Sequence, residues 1–388
     1  MRIDIIAGAR PNFVKIAPII HAIEARQSAG SDLSYRLVHT GQHYSDSLSS
    51  TFFEQLDIPA PHVNLAVGSG THAEQTGAIM IRYEQLLQQA PTDLCLVVGD
   101  VNSTLACAIT AQKCGIPVGH VESGLRSADW RMPEEINRLA TDAITNWHFT
   151  TSAFANANLR RSGVPEERIF FVGNTMIDTL LANQARLRPP NCWRELGLQP
   201  GHYFILTMHR PASVDDTGVL AGTLHAILEG TRGLPLVFPV HPRTARRLAH
   251  AGALPEGLHP IPPQPYLEFN YLVKHAKAII TDSGGITEEA TVLGIPCLNL
   301  RETTERPETV SLGTTRLIGR DPARLAQALT NVFSSDWPPG QIPEKWDGKA
   351  GLRIAAALDV IARTGLNPIQ AARQPPQCAV VDPFFVDT

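Results

Sequence analysis

The sequence predicts an α/β protein of two doubly wound domains facing each other across a cleft, and three observations lead there. Short apolar runs alternate with longer helical patterns along the chain, the alternation occurs twice, and polar residues collect at the carboxyl ends of the runs. The length of 388 residues already argues against one small domain, since about 150 residues per domain is ordinary.

The first series has candidate strands at 2–8, 35–41, 94–100, 117–123, 147–152 and 169–174. The second has them at 203–209, 236–241, 257–263, 276–282 and 296–301. Most are continuous apolar runs such as LCLVV and YFIL, the pattern of parallel strands covered on both faces. Amphipathic stretches such as VKIAPIIHAIEAR (14–26) and STLACAITAQKCG (103–115) supply the crossover helices. The polar, proline-bearing stretch NQARLRPPNCWRE (183–195) separates the two series. The expected units are therefore 1–182 and 183–350. GLRIAAALDVIART predicts a helix within 351–366 that returns to the first unit, and 367–388 reads as a tail.

Composition excludes several classes. Lys+Arg number 33 and Asp+Glu 37, a formal charge of −4 with only 18% charged residues. Such a chain is a poor general binder of nucleic acid or anionic membrane. A hydrophobic fraction of 43% excludes a wholly disordered chain. No apolar run approaches the roughly 18 to 20 residues of a membrane span, and the start, MRIDIIAGARPNF, lacks the layout of a secretory signal. The six cysteines show no CxxC pair and no metal-type spacing, so the expectation is a cytoplasmic protein without a metal site.

Gly8 to Arg10, Asp100, Glu122, His209, His241 and Asp282–Ser283 all fall at or just past a predicted strand end, the edge where open α/β sheets bind ligands. In GARPNFVK (8–15) the glycine-rich dinucleotide fingerprint is missing, which argues against a tightly held NAD; Arg10 and Lys15 instead suit a phosphate or carboxylate. TDSGGITEEA (281–290) is a second anion site. Ser283, Gly284 and Gly285 open a helix whose N-terminus favours a nucleotide diphosphate, and Glu289 lies where it accepts from ribose hydroxyls. The competing reading is that Glu288 and Glu289 merely complement the helix dipole.

Asp100, Glu122 and Glu134 are candidates for acid and base roles, because carboxylates crowded at one cleft push one another's pKa apart. The bland readings are that Asp100 caps the following helix and that Glu134 pairs with Arg138, four residues on. His209 beside Arg210, His241 in PVHPR and His43 in TGQHYS complete the set of candidates.

Together the motifs resemble the non-hydrolysing UDP-N-acetylglucosamine 2-epimerases, from about residue 3 to about residue 365. GARPNFVKIAPI, TGQHYS, GDVNSTLA, GHVESGLRS, MPEEINR, GNTMID, TMHRP, PVHP, DSGGITEEA and TTERPE occur in the family's order. The resemblance implies the B-type glycosyltransferase architecture of two Rossmann-like domains, with UDP held mainly by the second. It implies inversion at C2 of a UDP-sugar for surface polysaccharides, no cofactor, and a homodimer. Residue by residue, it implies that Ser283, Gly284 and Gly285 hold the diphosphate and Glu289 the ribose. Arg306 and His209 line the same site, Arg10 reaches across the cleft, and Gln264 and Phe269 lie on the uracil side. Lys15, Asp100, Glu122 and Glu134 match the catalytic set.

One region departs from the family. Gln42 is kept, but Ser45, Ser69 and Gly70 stand where long polar side chains bind a second, activating substrate molecule in several members. That leaves room for a related sugar such as a UDP-linked 2,3-diacetamido uronic acid. The alternatives are a hydrolysing epimerase, a B-type glycosyltransferase and a non-catalytic UDP-sugar binder. Carboxylates facing an anionic ligand argue against the last.

Overall fold

The structure, a computed structural model, describes residues 1–41, 52–210, 217–240, 244, 254–334 and 336–364, with Arg10 and Thr217 given by their backbone alone. His43, His241, the 367–388 tail and the Arg10 side chain lie outside the described residues.

Two parallel sheets form the scaffold. The first contains β1 (Arg2–Ala7), β2 (Ser34–His39), β3 (Val63–Asn64), β4 (Leu94–Val98), β5 (Val118–Val121), β6 (Trp147–Thr150) and β7 (Ile169–Phe171). Its spatial order is β3-β2-β1-β4-β5-β6-β7. The second contains β8 (Phe204–Thr207), β9 (Leu236–Pro239), β10 (Leu258–Ile261), β11 (Ala278–Thr281), β12 (Cys297–Asn299) and β13 (Thr315–Leu317), ordered β10-β9-β8-β11-β12-β13. Both are doubly wound. The order reverses between β1 and β4 and again between β8 and β11, and ligands bind outside the strand ends at such reversals.

Helices α1 (Arg10–Ser28), α2 (His72–Gln89), α3 (Asn102–Lys113), α4 (Pro133–Ile144), α5 (Ala153–Arg161) and α6 (Thr175–Asn183) accompany the first sheet. Helices α7 (Asn191–Glu195), α8 (Thr217–Gly230), α9 (Tyr266–His275), α10 (Gly285–Leu293), α11 (Pro307–Ser311) and α12 (Pro322–Phe333) accompany the second. Among the described residues no helix is long and apolar enough to cross a membrane.

The strands end earlier than the apolar runs suggest. The run 94–100 is a strand only to Val98, because Gly99 turns the chain at a φ of +73°. This truncation lifts Asp100 off the ladder.

The last helix, α13 (Ala350–Thr364), leaves the second sheet and packs on α1. Ile354, Leu358 and Ile361 join Ile16, Ile19, Ile20 and Ile23 in one buried cluster. The approach is close: a Cβ on Gly351 would lie 2.4 Å from the Pro18 carbonyl oxygen. Asp178 of α6 accepts the Gly351 N–H at 2.7 Å, and Asp359 pairs with Arg26 and accepts from Ser31 Oγ at 2.6 Å.

Candidate active site

One side chain sets the first turn of α1. Asn12 Oδ1 accepts from the Gly8 and Ala9 N–H groups at 3.1 and 2.9 Å, while its Nδ2 donates to the Val98 carbonyl at 2.9 Å. Asn12 thus ties β1 to β4 where the strand order reverses. Three residues on in the same helix, Lys15 Nζ donates to Glu122 Oε2 at 2.6 Å. Gly99 makes room for the pair, since a Cβ there would sit 3.2 Å from Lys15 Nζ and 3.7 Å from Glu122 Oε2.

Glu122 follows β5 and is reached from the other half as well. Arg306, the residue before α11, donates from Nη2 to Glu122 Oε2 at 3.1 Å. Its Nε lies 2.9 Å from Glu288 Oε1 on α10, and Glu288 Oε1 also accepts from Asn174 Nδ2 at 2.7 Å. A buried chain of charges, Lys15–Glu122–Arg306–Glu288, therefore joins the two halves.

Burial pushes both carboxyls up, and cations decide the outcome. At Glu122, Lys15 and Arg306 together outweigh burial and hold the carboxyl below its usual range. Glu288 shares only Arg306 at close range, and burial drives it up to about 8. Glu122 Oε1, Glu288 Oε2, Arg306 Nη1 and Arg301 Nη1 are buried without a hydrogen-bond partner among the described residues. Each such group costs about 1–3 kcal/mol, so a concentration of them marks a place prepared for a polar ligand.

Asp282, past β11, builds the facing wall. It accepts from the His209 N–H at 3.1 Å and the Arg210 N–H at 3.0 Å, and it lies 2.8 Å from His209 Nδ1. Burial raises its carboxyl, but the His209 contact and these amides outweigh that and hold it low. The His209 ring is directed by its Nδ1 side, and its side chain is 62% exposed.

At the start of α10, the Ser283 N–H is already donated to Thr281 Oγ1 at 2.9 Å. The helix N-terminus accordingly offers an anion the amides from Gly284 onward, one fewer than the motif suggests. Gly284 leaves space for a neighbour, because a Cβ there would lie 2.3 Å from Glu305 Oε1 and displace that carboxylate. Glu305 is held at about 2: burial opposes ionisation, and the charge of Arg301, 2.8 Å away, overcomes it.

Helix α4 corrects one expectation. Arg138 does not pair with Glu134. It donates to Glu135 Oε2 from Nη2 at 2.6 Å and to Asp100 Oδ2 from Nη1 at 2.5 Å. Glu135, also fixed by the Ser127 N–H at 2.9 Å, faces inward, whereas Glu134 is half-buried and near enough to Arg210 to stabilise its charge. Asp100 is not a cap either: Val101 precedes α3, and no side chain caps that helix. Across the cleft, Met132 Sδ lies 3.6 Å from Arg210 Nη1 and 3.5 Å from Arg301 Nη2.

Other candidates sit further out. Glu289 is buried, with Asn270 Nδ2 at 3.4 Å from Oε1, and burial pushes it up to about 7 against the pull of that hydrogen bond. Phe269 is partly buried and packs against the core of the second half. Gln264 donates to the Pro262 carbonyl at 2.7 Å and lines a cavity of about 900 Å³ with Arg188, Asn191, His259 and Glu268. None of Glu122, Ser283 or Arg306 lines that cavity.

Sequence reasoning passed over Asn12, Asn174 and Arg301 and gave Glu288 no role beyond the competing reading as a dipole partner. Asn12 and Asn174 both lie in the quoted motifs GARPN and GNTMID, each at a helix start. That position was the available signal.

Comparison with known proteins completes the picture. The family model for UDP-N-acetylglucosamine 2-epimerase matches residues 25–359. A UDP-N-acetylglucosamine 2-epimerase of Methanocaldococcus jannaschii is 39% identical over 373 residues, covering 92% of this chain and 99% of that protein. Its crystal structure in complex with UDP-GlcNAc and UDP superposes with a TM-score of 0.84 at 39% identity, covering 93% of this chain and 100% of the other. A UDP-2,3-diacetamido-2,3-dideoxy-D-glucuronate 2-epimerase of Pseudomonas aeruginosa is 37% identical, covering 92% of this chain and 99% of its own.

Proposed function

Because the chain belongs to the UDP-N-acetylglucosamine 2-epimerase family, we propose that it interconverts UDP-N-acetylglucosamine and UDP-N-acetylmannosamine without net hydrolysis. The observation that carries this reading is the buried chain Lys15–Glu122–Arg306–Glu288 at the paired strand-order reversals, with unpartnered polar atoms converging on it.

The chemistry explains the arrangement. C2 of the sugar is not adjacent to a carbonyl, so its proton is barely acidic and direct inversion is implausible. Elimination of UDP gives a 2-acetamidoglucal, and re-addition after protonation from the opposite face gives the epimer. UDP departs as an anion, which Arg306, Arg301, Lys15 and the N-terminus of α10 are placed to stabilise. His209, with Nδ1 turned to Asp282, keeps Nε2 for the diphosphate. Asp100, Glu122 and Glu134 supply the base and the acid. In this reading Ser283 to Gly285, Glu289 and Arg10 hold the nucleotide, with Gln264 and Phe269 toward the uracil.

The experiment is incubation with UDP-N-acetylglucosamine in deuterated water. Deuterium at C2 is expected; an unlabelled sugar after long incubation sinks the reading for this substrate, and stoichiometric UDP release assigns hydrolysis instead. The Pseudomonas relative favours one second reading, C2 epimerisation of a UDP-2,3-diacetamido uronic acid, and faster exchange on that sugar would establish it.

The same reading divides the chain at 182/183 and 350/351 and places it in the cytoplasm as a homodimer that supplies surface polysaccharide synthesis. Free thiols at Cys95, Cys107, Cys114, Cys192 and Cys297 support the compartment. Light scattering on the purified chain tests the dimer.

A further inference from the structure

Glu122 has a φ of +71°. Side chains with a Cβ rarely adopt this left-handed conformation, which is strained and persists only where the surroundings over-determine it. The residues on both sides of Glu122 converge on one acceptor, Asp142 in the last turn of α4. Ser123 Oγ donates to Asp142 Oδ1 at 2.5 Å, and His120 Nδ1 lies 2.8 Å from the same oxygen. The Gly124 N–H donates to Oδ2 at 3.0 Å and Arg126 Nη1 donates to it at 2.6 Å. His120 is pinned at its other end as well, with Nε2 2.8 Å from the Gly99 carbonyl, and Ser123 Oγ lies 2.7 Å from His148 Nδ1.

Asp142 itself stands behind the turn and reaches none of Lys15, Arg306 or Glu288 among the described hydrogen bonds. It is 4% exposed, so its four partners replace solvent entirely. Burial raises its carboxyl, and His120, Arg126 and Ser123 overcome that and keep it ionised. A carboxylate with both oxygens committed to the residues at −2, +1, +2 and +4 around a strained position is built to hold that position.

We propose that Asp142 is a positioning residue for the C2 chemistry, holding Glu122 in its left-handed turn so that its carboxylate stays between Lys15 and Arg306. This rests on the reading that Glu122 takes part in the proton transfers. Without Asp142 the turn relaxes toward negative φ and the carboxylate swings off its cations. Displacement of a reacting group by about 1 Å is enough to cost about 10²-fold in turnover.

The test compares Asp142→Ala, Asp142→Asn, Ser123→Ala and Glu122→Gln with the native enzyme, reading C2 deuterium exchange, KM, UDP affinity and thermal unfolding. Asp142→Ala is expected to lower kcat about 100-fold while KM and UDP affinity stay within about twofold, because in the proposed function the nucleotide is held mainly from the other half. Asp142→Asn recovers part of that loss, since its amide oxygen still serves one side of the turn, and Ser123→Ala falls between native and Asp142→Ala. A folded Asp142→Ala enzyme with near-native kcat overturns the proposal, as does a parallel loss of kcat and UDP affinity. If Asp142→Ala does not fold, Ser123→Ala and Asp142→Asn decide by the same split, and native kcat in both overturns it. The reading beneath it fails separately, through a native enzyme that exchanges C2 of neither UDP-sugar or a Glu122→Gln enzyme that stays fully active.

Discussion

Glu122, just past β5 in the first half, and Glu289, inside α10 in the second, are carboxylates at the ligand edge with 2% and 4% exposure, yet their surroundings push them in opposite directions. Glu122 is held ionised and Glu289 is driven up to about 7. Burial is the largest influence at both. What separates them is contact with cations: Lys15 and Arg306 touch Glu122, whereas Glu289 has the amide of Asn270. The comparison teaches that depth alone does not assign a role to an acid. One cation from each half keeps Glu122 charged, while Glu289, with no cation in contact, holds its proton up to about pH 7 inside its helix.

The sharpest way to break this contrast is Glu122→Gln. Loss of a proton-transfer group lowers turnover by about 10²- to 10⁴-fold, and the expected C2 exchange rate falls accordingly while UDP still binds. Near-native exchange would move the chemistry to Asp100 or Glu134.

Glu289→Gln probes the other side through pH. A carboxyl raised from 4.5 to about 7 in the folded state binds a proton that the unfolded chain has lost. Its contribution to stability is therefore complete below pH 4.5 and is lost as pH rises to about 7, a change of about 3 kcal/mol. Unfolding at pH 5 and pH 8 should show the native protein losing stability with rising pH and Glu289→Gln losing less. An identical pH dependence in both would place the titration elsewhere.

Asp282→Ala tests a carboxylate that shapes a loop. Removing it strands the His209 and Arg210 amides, at about 1–3 kcal/mol of stability, and releases the His209 ring. Denaturant unfolding and KM should both worsen, in contrast to the kcat-only loss at Glu122. The smallest expected effect is that of excess chelator. In the proposed function Lys15, Arg301 and Arg306 supply the positive charge for the diphosphate, so the exchange rate should not change; its loss would show that a cation is also needed.

Much of the fold was legible because central parallel strands are buried on both faces and read as unbroken apolar runs. The two strands the runs missed, VN at 63–64 and TRL at 315–317, are short edge strands, where neither length nor hydrophobicity leaves a pattern. At the site, the strand-end rule brought Asp100, Glu122, His209 and Asp282 into view. Helix spacing alone misassigned the Arg138 partner, because Glu134 and Glu135 are both within a turn of it and only packing shows which faces inward. The separation of Glu288 and Glu289 from Glu122 was invisible for the same reason. It depends on Asn174, Asn270 and Arg306, which lie on other elements and at no helical spacing from the two glutamates.

The return of α13 to α1 also constrains how the molecule is made. Ile16, Ile20 and Ile23 emerge early in synthesis, but Ile354, Leu358 and Ile361, which cover them, emerge after the entire second sheet. Domains otherwise tend to fold in order of synthesis. Here the first sheet waits with an apolar helix face exposed until the end of the chain arrives, so completion of one half is coupled to translation of the other. Truncation before Ala350 should therefore yield an aggregating first half even though every strand of both sheets is intact.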